Sequence, residues 1–221
     1  MSKKILVTGG AGFIGSHTCI ELLNNGNKVV VVDNLYNANK KSLEVVEKAT
    51  GKKVTFYEVD VRDEEKLNEV FETEKDIFGV IHFAGLKAVG ESCEIPLVYY
   101  DNNIAGTTTL FRVMERNNCK NIIFSSSATV YGSPHTLPIK EDFPLSVTNP
   151  YGRTKLITED ILKDVYTADN EWNVVLLRYF NPIGAHECGD IGEDPKGVPN
   201  NLIPYIMQVA VGKLEKVNVF G

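Results

Sequence analysis

Two residues four positions apart, Tyr151 and Lys155, have types and a spacing that could do chemistry. On a helix this spacing puts both side chains on one face. A free tyrosine has a pKa of about 10, so a phenolate at neutral pH needs a shift of roughly three units. A lysine cation one turn away supplies part of that shift, and the pair therefore predicts a general base for a hydroxyl group.

A run of three serines, Ser125–Ser127, ends a predicted strand and precedes the tyrosine segment. A serine hydroxyl can therefore meet Tyr151 above the strand ends, hydrogen-bond the same substrate oxygen and relay its proton. Tyr36 and Lys40 have the same spacing as the first pair. We interpret that second pair as chance, because it lies in a loop directly after Asp33.

A glycine-rich turn follows the first predicted strand, with Gly9, Gly12 and Gly15 in a G-x-x-G-x-x-G pattern. Glycines here allow a tight turn, a bare backbone for a pyrophosphate and close packing of the next helix. The amino terminus of that helix offers unpaired N–H groups to phosphate. Asp33 ends the second predicted strand. Its carboxylate can accept hydrogen bonds from ribose hydroxyls and repels a 2′-phosphate, which predicts NAD rather than NADP.

The elements that must position these residues alternate between short β-branched runs and amphipathic stretches. Near-continuous Val, Ile and Leu runs separated by helices indicate a parallel sheet covered on both faces. With right-handed crossovers this predicts an α/β fold, a Rossmann-like doubly wound sheet, over an NAD-binding domain at 1–180. Strands are predicted at 4–8, 28–33, 53–59, 77–83, 121–125 and 173–178, and helices at 13–25, 63–74, 96–117 and 150–167.

The remaining segment, 181–221, breaks this pattern and predicts the incomplete start of a smaller C-terminal substrate domain. Residues 181–201 are rich in Gly, Pro, Asp and Asn and predict a long loop. A helix is predicted at 202–211 and a strand at 216–220.

Composition narrows the class of protein and of partner. The 221 residues carry a net charge of -6, which argues against nucleic acid and anionic membrane as partners. Four cysteines without a C-x-x-C pair predict reduced thiols in a cytoplasmic protein. No apolar run reaches the length of a signal-peptide core or a membrane-spanning helix. His17 and His82 are interpreted as packing residues, and His186 with Cys188 as a loop rather than a metal site.

Five motifs together resemble the UDP-glucose 4-epimerases of the extended short-chain dehydrogenase/reductase family: TGGAGFIGSH, HFAGLKAVGES, FSSSATVYG, NPYGRTK and LRYFNPIGAH. The resemblance covers essentially the whole chain. It implies reversible inversion at C4 of a UDP-hexose through a 4-keto intermediate, with NAD taking and returning the hydride. It also implies a homodimer built from the helix after Pro96 and the Tyr151 helix.

The resemblance carries residue roles with it. It implies Ser127, Tyr151 and Lys155 as the catalytic set, in which Ser127 and Tyr151 also touch the sugar. Together with the turn and strand-end positions read above, the expected cofactor contacts are Gly9, Gly12, Phe13, Ile14, Gly15, Asp33, Asn34, Asp60, Val61, Phe83, Ala84, Gly85, Lys87, Asn102, Tyr151, Lys155 and Phe180. The expected substrate contacts are Lys87, Ser127, Tyr151, Asn181, Asn201, Leu202 and Phe220, and no metal is expected.

Three alternatives stay beside this interpretation. A nucleotide-sugar 4,6-dehydratase needs an acid pair after the serine, where this sequence has Ala128 and Thr129. A UDP-N-acetylhexosamine 4-epimerase stays open, because family members continue beyond the position matching Gly221. That difference in length also leaves open a catalytically silent NAD-binding fragment. We therefore expect NAD binding with weak or absent turnover, and a poorly packed or mobile segment from Asn181 onward.

Overall fold

The computed structural model describes residues 2–193, 199 and 201–218. Its strands are β1 (Lys4–Thr8), β2 (Lys28–Asp33), β3 (Thr55–Glu58), β4 (Ile77–His82), β5 (Asn121–Ser127) and β6 (Asn173–Tyr179). Its α-helices are α1 (Phe13–Asn24), α2 (Lys41–Thr50), α3 (Glu64–Glu74), α4 (Val89–Glu94), α5 (Pro96–Tyr100), α6 (Gly106–Arg116), α7 (Pro150–Ala168) and α8 (Leu202–Ala210). A π-helical segment, Asp101–Ala105, joins α5 to α6, and a 3-10 turn, Ala128–Tyr131, follows β5.

The six strands form one sheet in the order β3-β2-β1-β4-β5-β6, and every neighbouring pair is parallel. Strands are added to one side of β1 first (β2, β3) and to its other side afterwards (β4, β5, β6). At such a change of side, between β1 and β4, parallel sheets have a crevice at the carboxyl ends of their strands. The predicted fold class is confirmed, and each of the six strands predicted within residues 1–180 is present. α2 and α4 were not predicted, since both are short and mostly polar.

The core lies on both faces of the sheet because alternate residues of each central strand point to opposite sides. Val30 and Val32 pack under α3 and α6, while Val29 and Val31 pack under α1 and α2. This two-sided burial explains why the strands are almost continuously apolar. No helix in the part of the chain that the structure describes is long and apolar enough to cross a membrane.

The segment after β6 turns back over the sheet toward α1 and α2. Ile191 is only 4% exposed and joins the apolar cluster on that face, and Asp190 pairs with Lys48 at 3.0 Å. The expectation of poor packing is thus wrong for this part of the segment, because an apolar side chain anchors it. Apolar side chains of α8, among them Leu202 and Met207, stay exposed. Residues 216–218 form no strand, and 219–220 lie outside the described residues.

Candidate functional site

The end of β5 and the first turns of α7 form the centre of the candidate site. α7 begins at Pro150, and the Asn149 side chain caps it by accepting a hydrogen bond from the Gly152 N–H at 2.8 Å. The helix runs beside β5 with Tyr151 and Lys155 facing the strand. The structure thus brings together the three residues predicted as a catalytic set, Ser127, Tyr151 and Lys155.

Ser127 is the serine whose side chain hydrogen-bonds the Tyr151 hydroxyl. The Ser127 Oγ also accepts a hydrogen bond from the Thr129 N–H at 3.3 Å, which caps the 3-10 turn. Ser126, its neighbour, points to the opposite face and donates to Glu159 at 2.5 Å. The alternation of side chains along β5 therefore decides which serine meets the tyrosine.

Lys155 lies almost fully buried, with 7% of its surface exposed. Its Nζ donates a hydrogen bond to the Ser125 carbonyl at 2.7 Å and lies 5.8 Å from the centre of the Tyr151 ring. Burial lowers the pKa of Lys155 to about 8, because the charged form loses water contacts. At neutral pH the lysine still carries its charge.

The Tyr151 hydroxyl has a raised pKa, because burial disfavours the phenolate. The hydrogen bond with Ser127 lowers that pKa in part. The lowering of the Tyr151 pKa that is expected from Lys155 does not decide the direction of the shift in this structure. Desolvation outweighs the cation, whose proton is directed at the Ser125 carbonyl.

The glycine-rich turn packs against the end of β4, as close as only glycine permits. A Cβ at Gly9 would lie 2.6 Å from the Ala84 nitrogen, and Gly9 has a positive φ of 69°. A Cβ at Gly15 would lie 2.3 Å from the Gly9 carbonyl oxygen. Gly12 precedes α1 and brings no side chain to the first N–H groups of that helix, which leaves them open toward the crevice.

Asp33 lies at the carboxyl end of β2 beside this turn. Its carboxylate accepts hydrogen bonds from the Ala11 N–H at 3.1 Å and from the Leu35 N–H at 2.9 Å. The bond from Ala11 ties the carboxylate to the glycine turn, where a ribose is expected.

Asn34 and Asp60, two further predicted contacts, are joined at the neighbouring strand ends. The Asn34 Nδ2 donates to the Asp60 Oδ2 at 2.9 Å. The Arg62 guanidinium also holds Asp60, and it keeps the pKa of that carboxyl well below its usual range. Val61 is buried in the core, and a Cβ at Gly106 would make a tight contact of 3.0 Å with its Cγ2.

Asn103 is a buried polar residue that the sequence analysis did not select. Its Oδ1 accepts from the Leu86 N–H at 2.8 Å, and its Nδ2 donates to the Leu86 carbonyl at 2.9 Å and the Thr154 Oγ1 at 3.1 Å. It thus ties the loop after β4 to α7. The predicted contact Asn102 donates to the Asn103 Oδ1 at 2.9 Å. A Cβ at Gly85 would lie 3.3 Å from that oxygen, so Gly85 lies at the same junction.

Glu193, also not selected from sequence, joins two of the predicted ligand contacts. Its Oε1 pairs with the Lys87 Nζ at 3.0 Å and accepts from the Asn201 Nδ2 at 2.5 Å. Lys87, a predicted contact of both cofactor and substrate, and Asn201, a predicted substrate contact, therefore meet at one carboxylate. Phe180, Asn181 and Leu202 are exposed, and Phe220 lies outside the described residues.

The buried His82 joins the two halves of the sheet beneath the crevice. Its Nδ1 hydrogen-bonds the Thr8 Oγ1 at 2.6 Å and its Nε2 the Thr107 Oγ1 at 2.9 Å. Burial lowers the pKa of His82 to about 3, so the ring is neutral. His17 packs edge-on against Phe13 with ring centres 5.0 Å apart. Within the described residues, no group of three or more His, Cys, Asp or Glu side chains could hold a metal ion.

Comparisons with known proteins agree with this arrangement. The model of the NAD dependent epimerase/dehydratase family matches residues 5–221. The chain is 64% identical to a UDP-glucose 4-epimerase of Bacillus subtilis over 217 residues and 59% identical to one of Dictyostelium discoideum over 221 residues. These matches cover 98% and 100% of this chain and 64% of each relative, so the chain spans less than two thirds of their length. A crystal structure of UDP-glucose 4-epimerase from Bifidobacterium longum in complex with NAD+ and UDP is similar with a TM-score of 0.96 and 59% identity, covering 99% of this chain and 65% of that one.

Proposed function

Because the chain belongs to the NAD dependent epimerase/dehydratase family, we propose that it binds NAD and interconverts UDP-glucose and UDP-galactose at C4 of the hexose. The observation that carries the proposal is the convergence of Ser127, Tyr151 and Lys155 at the carboxyl ends of the strands. The relatives named UDP-glucose 4-epimerase and the complex with NAD+ and UDP support the choice of cofactor and sugar nucleotide.

The residues around the crevice fit a dinucleotide. The glycine turn lies directly against its own backbone and the end of β4, where a Cβ at Gly9 or Gly15 would clash, and the amino terminus of α1 can offer N–H groups to phosphates. Asp33 on β2 and Lys155 beside β5 lie three strand spacings apart, a span of about 14 Å. A ligand with a ribose near Asp33 and a reactive ring near Lys155 must bridge that span. This favours two linked nucleotides over one.

The chain's own residues then divide the chemistry. Tyr151 accepts the proton of the C4 hydroxyl, Ser127 hydrogen-bonds the same oxygen, and the Lys155 cation favours the phenolate. When bound, NAD would supply the acceptor and donor of the C4 hydride. The C–H electron pair leaves C4 as hydride and the hydroxyl proton goes to Tyr151, so a 4-keto sugar forms. Tyr151 returns the proton after the sugar has presented its other face.

The position after Ser127 favours epimerisation over dehydration. Ala128 and Thr129 begin the 3-10 turn there, and neither side chain is an acid that could protonate a leaving hydroxyl. The sequence similarity to enzymes named for UDP-glucose favours that sugar over N-acetylhexosamines.

We further propose that two copies pair through α5 and α7, as a cytoplasmic homodimer. α5 packs beside α7, and both helices carry exposed apolar side chains, among them Leu97, Val98 and Tyr166. An isologous contact between two copies would bury them. Sedimentation should give a dimer that Leu97→Glu converts to a monomer, and a wild-type monomer would contradict this part of the proposal.

The first experiment incubates the purified chain with UDP-galactose, without added NAD, and separates the sugar nucleotides by chromatography. UDP-glucose should form slowly, in line with the weak turnover expected from the sequence, and NAD should be released when the protein is denatured. Tyr151→Phe should abolish product, whereas Tyr166→Phe, which keeps the apolar ring at a later position of the same helix, should not. Equal turnover in wild type and Tyr151→Phe, or NAD without any product, would refute the proposed reaction. No recoverable NAD would refute the proposed cofactor.

A further inference from the structure

α7 presents a third polar residue to β5, one turn beyond Lys155. Tyr151, Lys155 and Glu159 follow at intervals of four and share a face. Each pairs with a different serine of β5: Tyr151 with the Ser127 side chain, Lys155 with the Ser125 carbonyl and Glu159 with the Ser126 side chain. Glu159 is fully buried, and the proposed reaction gives it no role.

A buried carboxylate is expensive unless it is paired and hydrogen-bonded. Arg178 of β6 meets this need with two parallel contacts, Nε to Oε1 at 3.0 Å and Nη2 to Oε2 at 2.7 Å. Because Arg178 lies opposite Ser126 in the sheet register, the pair joins α7, β5 and β6 at one level.

Arg178 also reaches the segment directly after Ser127. Its Nη1 donates to the Tyr131 hydroxyl at 2.9 Å, and its guanidinium lies 5.0 Å from the centre of that ring. Tyr131 ends the 3-10 turn that Ser127 caps. The Glu159–Arg178 pair therefore contacts the helix that carries Tyr151 and Lys155 and the turn that carries Ser127.

From these contacts we propose that Glu159, held by Arg178, is a positioning residue that sets the register of α7 on β5 and with it the Ser127–Tyr151–Lys155 geometry. The inference rests on the proposed function, in which that geometry does the chemistry. An apolar pair of similar volume would fill the same space and is often as stable as a buried ion pair. It would lack directional contacts, and a misplacement of about 1 Å can cost roughly a hundredfold in rate.

The pair has a second consequence for Lys155. Glu159 lies one turn from Lys155 on the same face of α7. Arg178 balances the carboxylate, and Lys155 directs its proton to the Ser125 carbonyl instead of to Glu159. Neutralising Glu159 alone would leave the Arg178 cation unopposed near Lys155, which favours loss of the lysine's proton.

The test compares three variants of the full chain with wild type. Glu159→Leu/Arg178→Leu replaces the ion pair by apolar side chains, Glu159→Gln removes one charge, and Asp160→Asn is the control. Asp160 belongs to an exposed pair with Lys163 on the same helix, at 2.9 Å. Urea unfolding reports stability, the rate at saturating UDP-galactose reports the geometry, and 15N NMR, assigned with Lys155→Met, reports the pKa of Lys155.

We expect the double variant to fold, yet to turn over at least tenfold more slowly, with Asp160→Asn unchanged. A folded double variant with the wild-type rate would show that the pair only fills space and would overturn the inference. If wild type itself turns nothing over, the proposed function fails, and Glu159→Gln decides the inference alone. A pKa of Lys155 lower by about one unit would support it, and an unchanged pKa would overturn it.

Discussion

Replacing Gly15 by alanine should destabilise the fold, while the same replacement at Gly12 should spare the fold and weaken NAD binding. The two glycines belong to one motif, but their surroundings differ. A Cβ at Gly15 would lie 2.3 Å from the Gly9 carbonyl oxygen and 2.7 Å from the Gly10 Cα. A Cβ at Gly12 would meet only the Gly9 oxygen, at 3.3 Å.

The expected loss of stability in Gly15→Ala follows from which atoms the new Cβ would contact. The clashing atoms are backbone, so no side chain can rotate away, and the turn must open by about 1 Å. Overpacking costs about 1–3 kcal/mol, and we take the upper end for a backbone clash. Alanine in a helix interior returns about 1 kcal/mol relative to glycine. The free energy of unfolding should therefore fall by about 2 kcal/mol, or about 4–8 °C in Tm for a chain of this size.

At Gly12 the opposing terms nearly cancel. The residue has φ -76° and ψ 178°, which alanine adopts without strain, and the stiffer chain gains about 0.4–1 kcal/mol. Alanine is a poorer N-cap than glycine, which offsets that gain. The methyl group would stand before the open N–H groups of α1. NAD affinity should drop at least about tenfold, equivalent to about 1.4 kcal/mol.

Urea unfolding followed by circular dichroism measures the first quantity, and titration calorimetry with NAD measures the second. Gly90→Ala is the matched control, since a Cβ at this helical glycine has no neighbour within 4 Å. It should raise stability by up to about 1 kcal/mol and leave NAD affinity unchanged. A Gly15→Ala protein as stable as wild type, or a Gly12→Ala protein with full NAD affinity, would refute the reasoning.

Three further predictions follow from single residues. Asp33→Asn removes the charge that repels a 2′-phosphate, so the ratio of NADP affinity to NAD affinity should rise about tenfold. Titration calorimetry with both cofactors measures that ratio, and an unchanged ratio would contradict the prediction. Burial lowers the pKa of Lys155 from 10.5 to about 8, so between these values Lys155 binds more protons in the unfolded state, and its own contribution to stability should rise with pH by about 3 kcal/mol. The buried thiols of Cys19 and Cys119 act in the opposite direction, because burial raises their pKa. Urea titrations of wild type and Lys155→Met isolate the lysine's part: the difference in their free energies of unfolding should change by that amount between pH 8 and 10.5, and a constant difference would contradict the prediction. Asn103→Ala leaves the Leu86 N–H and carbonyl unpaired and should lower the free energy of unfolding in urea by about 2–3 kcal/mol. Asn25→Ala, at an exposed position, should lower it by under about 1 kcal/mol. Similar losses in both variants would show that Asn103 does not stabilise the contact between the loop after β4 and α7.

The sheet could be predicted from sequence because its strands are buried on both faces. The four consecutive valines in Lys28–Asp33 are typical of a strand that is buried on both faces. The glycine turn after β1 determines where the first helix begins. The ends of β3 were placed less well, because that strand lies at the sheet edge and carries polar side chains.

The polar residues that support the site could not be found this way. Asn103, Glu159 and Arg178 are polar, so hydrophobic periodicity assigns them to the surface, yet Asn103 and Glu159 are buried and Arg178 reaches inward to pair with Glu159. What could indicate them is the spacing of polar residues on α7. Tyr151, Lys155 and Glu159 follow at intervals of four on the side that faces β5, and buried polar groups there need hydrogen-bond partners. The serine run at the end of β5 supplies them, and the sequence shows both parts without showing that they face each other.

Because the polar groups of the site are also structural contacts, most substitutions there change folding and chemistry together. Removing Lys155 leaves the Ser125 carbonyl without its donor, and removing Glu159 leaves the Arg178 cation unbalanced. Tyr151 differs, since phenylalanine keeps the ring and loses the hydroxyl that hydrogen-bonds Ser127. That bond is worth about 1 kcal/mol net, and turnover should vanish with it. Tyr151→Phe should therefore unfold within about 1 kcal/mol of wild type in urea while forming no UDP-glucose. A loss of stability of several kcal/mol would mean that the hydroxyl also supports the fold, and the missing product could then not be assigned to the missing base.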